Sequence, residues 1–220
     1  AFDGLLAENP YVDGVSDVGE SNGHMRQWLA AGEVKFFDLG RKCAQYEEQY
    51  GPKNRTDLAC DLLDVVPENR KPVLNLRPAE IAWAQGYCQE HYDMSGPVIG
   101  IVTDGSCDAR RIPSLTVAEI AALALDARWE AVLLSRDAGF TIREYAALMT
   151  QLTCLVTPDT GAMHVAGALD VPTVALFGPT DPESRMKYYP RCTAMKADVM
   201  LEHDAASVMQ ATGGVIHGEL

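Results

Sequence analysis

Between residues 97 and 177, four short apolar runs alternate with stretches of helical pattern. The runs cover 97–102, 131–135, 154–157 and 173–177, and the stretches between them predict helices over 116–128, 141–152 and 160–169. Runs this short, apolar without alternation, are the pattern of strands buried on both faces. Strands separated by 10- to 13-residue helices are βαβ units, so the expected fold is α/β with a parallel sheet and right-handed crossovers. In such sheets ligands bind beyond the carboxyl ends of the strands. That directs attention to loops 103–113, 135–140, 157–161 and 178–190.

Residues 1–95 have a different texture, charged, aromatic and irregular. A helix end is expected over 2–8, stopped at Asn9-Pro10, because proline disfavours the helical conformation of its predecessor. Strands are expected at 11–15 and 34–39, and helices at 41–50 and 56–65. The stretch 67–72 reads as a linker. Pro78 suits a first helical position and opens a helix to about residue 91. The expected organisation is a partial N-terminal α/β region over 1–95, followed by a Rossmann-like domain over 96–220. Thr116-x-x-Glu119 matches a capping box at the start of the helix in the first βαβ unit.

The 220 residues carry 18 Lys+Arg against 31 Asp+Glu, a net charge of −13. That balance argues against non-specific binding of nucleic acid or anionic membranes. No apolar run approaches the ~18 residues of a membrane span. An anion can still be held where local structure makes a positive spot. The six cysteines are scattered singly with no C-x-x-C, which predicts buried free thiols in a reducing compartment. The first residues lack the features of a signal peptide, and a cytoplasmic location is expected.

Loop 157–161 is Thr-Pro-Asp-Thr-Gly, straight after a strand and opening a helix. Asp159 or Thr160 would serve as N-cap. Gly161 places no side chain over the first turn, so free N–H groups and a partial positive charge would face outward. Gly161, Ala162, Ala166, Gly167 and Ala168 would let the helix approach the sheet, and His164 lies one turn in from Thr160. The same residues also fit an ordinary capped helix with a core histidine. Arg110-Arg111 in loop 103–113 could clamp a diphosphate, or could be a solvated pair. Loop 178–190 is stiffened by glycine and prolines and offers Thr180 with cationic and aromatic groups. Gly100-x-x-x-x-Gly105 has P-loop spacing, but Ser106-Cys107 stands where Lys-Ser/Thr belongs, so the phosphate-binding lysine is missing. No dinucleotide fingerprint, nucleophile elbow or zinc-ligand spacing occurs, and no metal or other cofactor is expected.

The stretch from Pro158 to Leu169 reads PDTGAMHVAGAL, and that from Val171 to Pro182 reads VPTVALFGPTDP. Together they resemble glycosyltransferase family 9, the lipopolysaccharide heptosyltransferases. Arg110-Arg111-Ile112-Pro113 sits where that family often has a basic residue shortly before Trp-Pro, and Asn9–Asp13 resembles an element of its N-terminal domain. The resemblance implies a GT-B fold of two Rossmann-like domains, the C-terminal one binding a nucleotide-activated sugar, usually ADP-heptose. It implies inverting, metal-independent transfer to a lipopolysaccharide or other glycan acceptor, at the inner face of the membrane, with peripheral membrane contact only through the acceptor. Carried over, Asp159, Thr160 and Gly161 would contact the diphosphate and sugar. Arg110 would replace a donor-binding lysine, with Arg111 as the alternate. His164 would support the loop, Asp137 would stand in for a ribose-binding glutamate, and Thr180 lies in the matched Phe-Gly-Pro-Thr segment. The family's general base belongs to the beginning of the N-terminal domain, and this chain is expected to begin inside that domain. The alternative is a non-catalytic module that binds a nucleotide sugar and lacks the acceptor half and base.

Overall fold

A computed structural model describes residues 39–105, 107–135 and 138–219. The expected elements at 2–8, 11–15 and 34–38, the Asn9–Asp13 match and the candidate Asp137 lie outside the described residues. The chain divides into two compact units, residues 1–70 and 71–220.

In the first unit, α1 (Leu39–Tyr50) and α2 (Arg55–Leu63) pack on each other. The Asn54 side chain accepts the Thr56 and Asp57 N–H groups at 3.1 and 3.3 Å, satisfying two of the donors that a helix start leaves open. Asp64 ends α2 in the left-handed conformation (φ 54°), which aspartate tolerates better than most residues. Arg55 forks onto Glu47 at 3.0 Å through both oxygens, and Arg70 pairs with Asp57.

The second unit begins with α3 (Pro78–His91). Pro78 occupies its first turn, and the Glu80 carboxylate accepts the Arg77 N–H at 2.7 Å. Sequence pattern joined this helix to the N-terminal region. Its buried face, Ala84 and Cys88, instead packs on Ala147 and Leu148 of α5, so contacts place it in the second unit. Then come β1 (Val98–Val102), a 3-10 turn at Asp108–Arg110, α4 (Ser114–Asp126), β2 (Glu130–Leu134), α5 (Ile142–Met149), β3 (Cys154–Pro158), α6 (Gly161–Ala168), β4 (Thr173–Phe177), the short α7 (Glu183–Met186), β5 (Cys192–Lys196), a 3-10 turn at Met200–Glu202 and α8 (Ala205–His217).

The five strands form one parallel sheet in the order β2-β1-β3-β4-β5. The alternation of side chains along each strand divides the core into two layers. Ile99, Ile101, Cys154, Val156, Val174 and Leu176 face one side, where Ile120 and Ala124 of α4 and Val208 of α8 cover them. Val98, Val102, Leu134 and Leu155 face the other, against Met149 of α5 and Ala166 of α6. Gly100 lies on that second face. A Cβ there would stand 2.5 Å from Leu152 Cδ1, so this glycine answers packing.

The four expected strands are all present, displaced by no more than a residue at either end. The Thr116-x-x-Glu119 capping box is not used. Helix α4 starts two residues earlier, after Pro113, which puts Thr116 inside the first turn, where its hydroxyl cannot cap. The capping box forms at α5 instead, with Thr141 Oγ1 accepting the Glu144 N–H at 3.2 Å and Glu144 accepting the Thr141 N–H at 2.8 Å. Among the described residues every cysteine is a free thiol. Cys107 departs from the expectation of burial and is exposed, because it sits in the loop after β1. Burial pushes the Cys154 thiol up to about 12 and the Cys192 thiol to about 11.

Candidate functional site

Strands β1 and β3 are neighbours, so the loops after them meet at the carboxyl end of the sheet. The loop after β1 folds back sharply. A Cβ on Gly105 would lie 2.8 Å from the Arg111 nitrogen and 2.9 Å from the Arg110 carbonyl, so only glycine fits. Ile112, fully buried, anchors the far side of the loop in the core. This geometry carries Arg110 to the end of β3, where its Nη1 lies 3.3 Å from Asp159 Oδ2.

Asp159 is held from behind, its N–H donating to the Leu176 carbonyl of β4 at 3.2 Å. Its side chain is 4% exposed, against 33% for Arg110. The 3.3 Å contact has the distance of an ion pair but not the alignment of a hydrogen bond, and Oδ2 accepts none among the described residues. Charge attraction at that distance persists despite the misalignment. The carboxylate therefore sits behind the guanidinium, which is the member of the pair that reaches solvent.

Thr160 is the N-cap of α6, yet its side chain does not cap. The backbone there is extended, and the hydroxyl faces Thr157 Oγ1 at 3.5 Å. The Gly161 and Ala162 N–H groups have no partner among the described residues. Gly161 is exposed, has no positive φ, and a Cβ added to it would meet nothing within 4 Å. Nothing among the described residues calls for glycine at this position. Small residues deeper in α6 do serve packing. Ala166 meets the second core layer, and a Cβ on Gly167 would strike the Tyr189 ring at 2.5 Å.

His164 lies on the same side of α6 as the opening, one turn along. Its Nδ1 is 2.6 Å from the Tyr189 hydroxyl, and the rings meet edge-on at 5.7 Å. Burial pushes the Tyr189 phenol up to about 12.

Adjacent arginines separate in the fold. Arg111 is exposed and lies 3.7 Å from Asp108. It borders a cleft of about 520 Å³ that Pro179, Val199, Met200 and Leu201 line from the far side. Thr180 is half-buried in the loop after β4 and makes no hydrogen bond with Asp159, Thr160 or His164. The start of that loop is fixed from β5 and beyond. Lys196 Nζ donates to the Gly178 carbonyl at 2.5 Å, and His203 Nε2 lies 2.9 Å from the Phe177 carbonyl. The structure thus brings together Arg110, Asp159, Thr160, Gly161 and His164, and leaves Arg111 and Thr180 outside that group. Tyr189 was not singled out from sequence, and Gly105 was noted only for its P-loop spacing with Gly100. The signals for them were a glycine facing an aromatic ring and a glycine at a loop crossing, both visible only in three dimensions. Among the described residues no group of three or more His, Cys, Asp or Glu could hold a metal ion, and no helix is long and apolar enough to cross a membrane.

Residues 138–211 match the model of glycosyltransferase family 9 (heptosyltransferase). That stretch, about a third of the chain, is similar to the heptosyltransferases. Over 42 residues this chain is 43% identical to lipooligosaccharide heptosyltransferase 2 of Haemophilus influenzae, a stretch that makes 19% of this chain and 12% of the relative. Over 47 residues it is 51% identical to lipopolysaccharide heptosyltransferase 2 of Salmonella typhimurium, covering 21% and 14%. Among solved structures, the ADP-heptose lipopolysaccharide heptosyltransferase II of E. coli superposes with a TM-score of 0.60 at 20% identity, over 70% of this chain and 56% of that one. A family 9 glycosyltransferase of Veillonella parvula gives 0.59 at 16% identity, over 66% and 54%. The E. coli heptosyltransferase WaaC, solved with ADP, gives 0.52 at 17%, over 73% and 55%. The chain shares their α/β fold and matches about half of each solved chain's length.

Proposed function

We propose that this chain binds the diphosphate of a nucleotide sugar at the start of α6 and serves in an inverting, metal-independent transfer of a heptose-like sugar to a lipopolysaccharide or other glycan acceptor. Residues 96–220 form the donor-binding domain in this reading, and ADP-heptose is the first candidate donor. The observation that carries it is the opening of α6. Two N–H groups have no partner among the described residues, a glycine stands there that none of those residues calls for, and a buried carboxylate holds Arg110 alongside.

The chemistry follows from charge. Departure of a nucleoside diphosphate builds negative charge on the β-phosphate. A helix start and a fixed guanidinium stabilise that charge without reorganising as it forms. In a chain of net charge −13 the stabilisation has to be local. A carboxylate in direct contact with the phosphate would repel it. Asp159 therefore acts through Arg110, orienting it, while Thr160 and Gly161 offer backbone donors. His164 reaches the donor from one turn along. Arg111 and Thr180 would also contact the donor, and Asp137 would stand in for a ribose-binding glutamate. The acceptor hydroxyl needs a general base, which this reading assigns to an N-terminal segment of the enzyme. The work would take place in the cytoplasm, at the inner face of the membrane where a lipid-linked acceptor is presented.

A thermal-shift panel of nucleoside diphosphates and their sugars tests this. A ligand at about 100 times its Kd adds about 2.7 kcal/mol to stability, a readily measured rise. ADP or an ADP-sugar is expected to raise the melting temperature, and a panel with no shift at all would overturn the proposal. Binding without sugar transfer would identify the chain as the non-catalytic module.

A further inference from the structure

We infer that Lys196, the last residue of β5, is a positioning residue for Arg110, holding the end of β4 against which the Ala109–Arg110 peptide rests. The inference rests on the donor-site reading above, because the placing of Arg110 matters to binding only if an anion occupies the opening of α6.

Both members of the Arg110–Asp159 pair are placed by the same short piece of backbone, residues 176–178. Asp159 is placed by a hydrogen bond, its N–H on the Leu176 carbonyl at 3.2 Å. Arg110 is placed by packing. A Cβ on Gly178 would stand 3.3 Å from the Ala109 carbonyl oxygen, and 3.2 and 3.3 Å from Met200 Cγ and the Met200 nitrogen. Gly178 therefore meets both the loop after β1 and the turn after β5, with no room for a methyl group unless one of them shifts. The Ala109 carbonyl and the Arg110 nitrogen belong to one planar peptide and move together. The 3-10 turn stiffens that peptide further, with the Arg110 N–H on the Cys107 carbonyl at 3.0 Å and the Arg111 N–H on the Asp108 carbonyl at 3.1 Å. A displacement of Gly178 is thus passed on to Arg110.

The hydrogen bonds at this end of β4 come from β5 and the residues after it. The Phe177 carbonyl accepts the Ala197 N–H at 3.0 Å and His203 Nε2 at 2.9 Å, which uses both of its lone pairs. Gly178 lies one residue beyond the strand. Among the described residues, the bond from Lys196 Nζ at 2.5 Å is the one its carbonyl accepts. The same ammonium donates to the Ala197 carbonyl at 2.6 Å, and Lys196 pairs with Phe177 in the β4–β5 register. A charged donor bridging two carbonyls makes the stronger kind of hydrogen bond. The chain has 31 Asp and Glu, yet among the described residues this lysine pairs with none of them. Its charge is directed to backbone, at the point where the perch of Arg110 would otherwise have no tie to β5.

The test is calorimetry with ADP and with adenosine on the wild-type chain and on Lys196→Met, which keeps an unbranched stem and removes the donor. Lys196 is exposed, so the variant is expected to fold, as circular dichroism will show. The preference of wild type for ADP over adenosine reads the contact between Arg110 and the diphosphate. Lys196→Met is expected to lower that preference about three- to tenfold through a misplaced guanidinium, with adenosine affinity unchanged. Lys196→Arg, which keeps donors at the end of the side chain, should retain most of it. In an Arg110→Ala background Lys196→Met should cost no further ADP affinity, because no guanidinium is left to place. A wild-type preference that persists unchanged in Lys196→Met overturns the positioning role alone. So does a loss of equal size in the Arg110→Ala background, since the ammonium would then act on the ligand directly. A wild type that binds ADP no more tightly than adenosine overturns the donor-site reading on which the inference rests.

Discussion

Helices α5 and α6 both start at the carboxyl end of the sheet, after β2 and β3, and their first turns are treated differently. At α5 the protein closes the helix start itself through the reciprocal bonds of Thr141 and Glu144. Arg143 in the same turn forks onto Glu80 of α3 at 2.5 and 2.7 Å and donates to the Asn75 carbonyl at 2.8 Å. At α6 the N-cap hydroxyl turns toward Thr157, and glycine follows where packing asks for none. The first turn of α5 uses its polar groups for stability. The first turn of α6 leaves them available, with Arg110 held beside them by Asp159. Stability and ligand binding should therefore respond to substitutions at the two sites in opposite ways.

The largest effect is expected from Asp159→Ala. Without its carboxylate Arg110 loses its orientation, and ADP-sugar affinity should fall at least tenfold, about 1.4 kcal/mol, while circular dichroism shows a folded chain. Unchanged affinity would remove Asp159 from the site. Next comes Thr141→Ala, expected to cost about 1 kcal/mol in denaturant unfolding, as lost caps do, with ADP-sugar binding untouched. A loss of binding in that variant would break the contrast between the two helices. Gly161→Ala should do the reverse. Its Cβ meets nothing among the described residues, so stability should hold or rise by up to about 1 kcal/mol, as glycine-to-alanine changes in helices do. Binding should weaken a few-fold, because the methyl group stands where the ligand approaches.

The smallest effect concerns acid. The Arg143 guanidinium holds the Glu80 carboxyl down at about 2, from an ordinary value of 4.5. A depressed carboxylate contributes stability that is complete above the unfolded value and lost as pH falls through the folded one. The difference in stability between wild type and Glu80→Gln should therefore be constant above about pH 5 and shrink as pH falls from 4.5 toward 2. A difference that grows on acidification would contradict the ion pair.

The α/β core was legible because its strands are uniformly apolar and its helices periodic. Strand β5 was not, since Cys192–Lys196 is an edge strand with half-exposed and exposed residues, including a threonine and a lysine. Helix α8 was also missed. Its sequence AASVMQATGGVIH holds a pair of glycines and weak helix signals, and burial of Ala205, Val208 and Thr212 makes it fold. The Thr-x-x-Glu tetrapeptides at Thr116 and Thr141 show the limit of local reading. Both match a capping box, and only the position of Pro113 decides that the one at Thr116 falls inside a helix. At the site, Asp159, Thr160, Gly161 and His164 lie within six residues and were found together. The pairing of Arg110 with Asp159 joins positions 49 apart, and it is the fold-back at Gly105 that selects Arg110 over Arg111.

Titration calorimetry of the wild-type chain with ADP and, in parallel, with adenosine tests the central claim most directly. If the opening of α6 and Arg110 hold the diphosphate, ADP binds at least tenfold more tightly than adenosine, and Arg110→Ala brings the two close together. Equal affinities for ADP and adenosine in wild type, or an ADP preference that survives Arg110→Ala, would contradict the account.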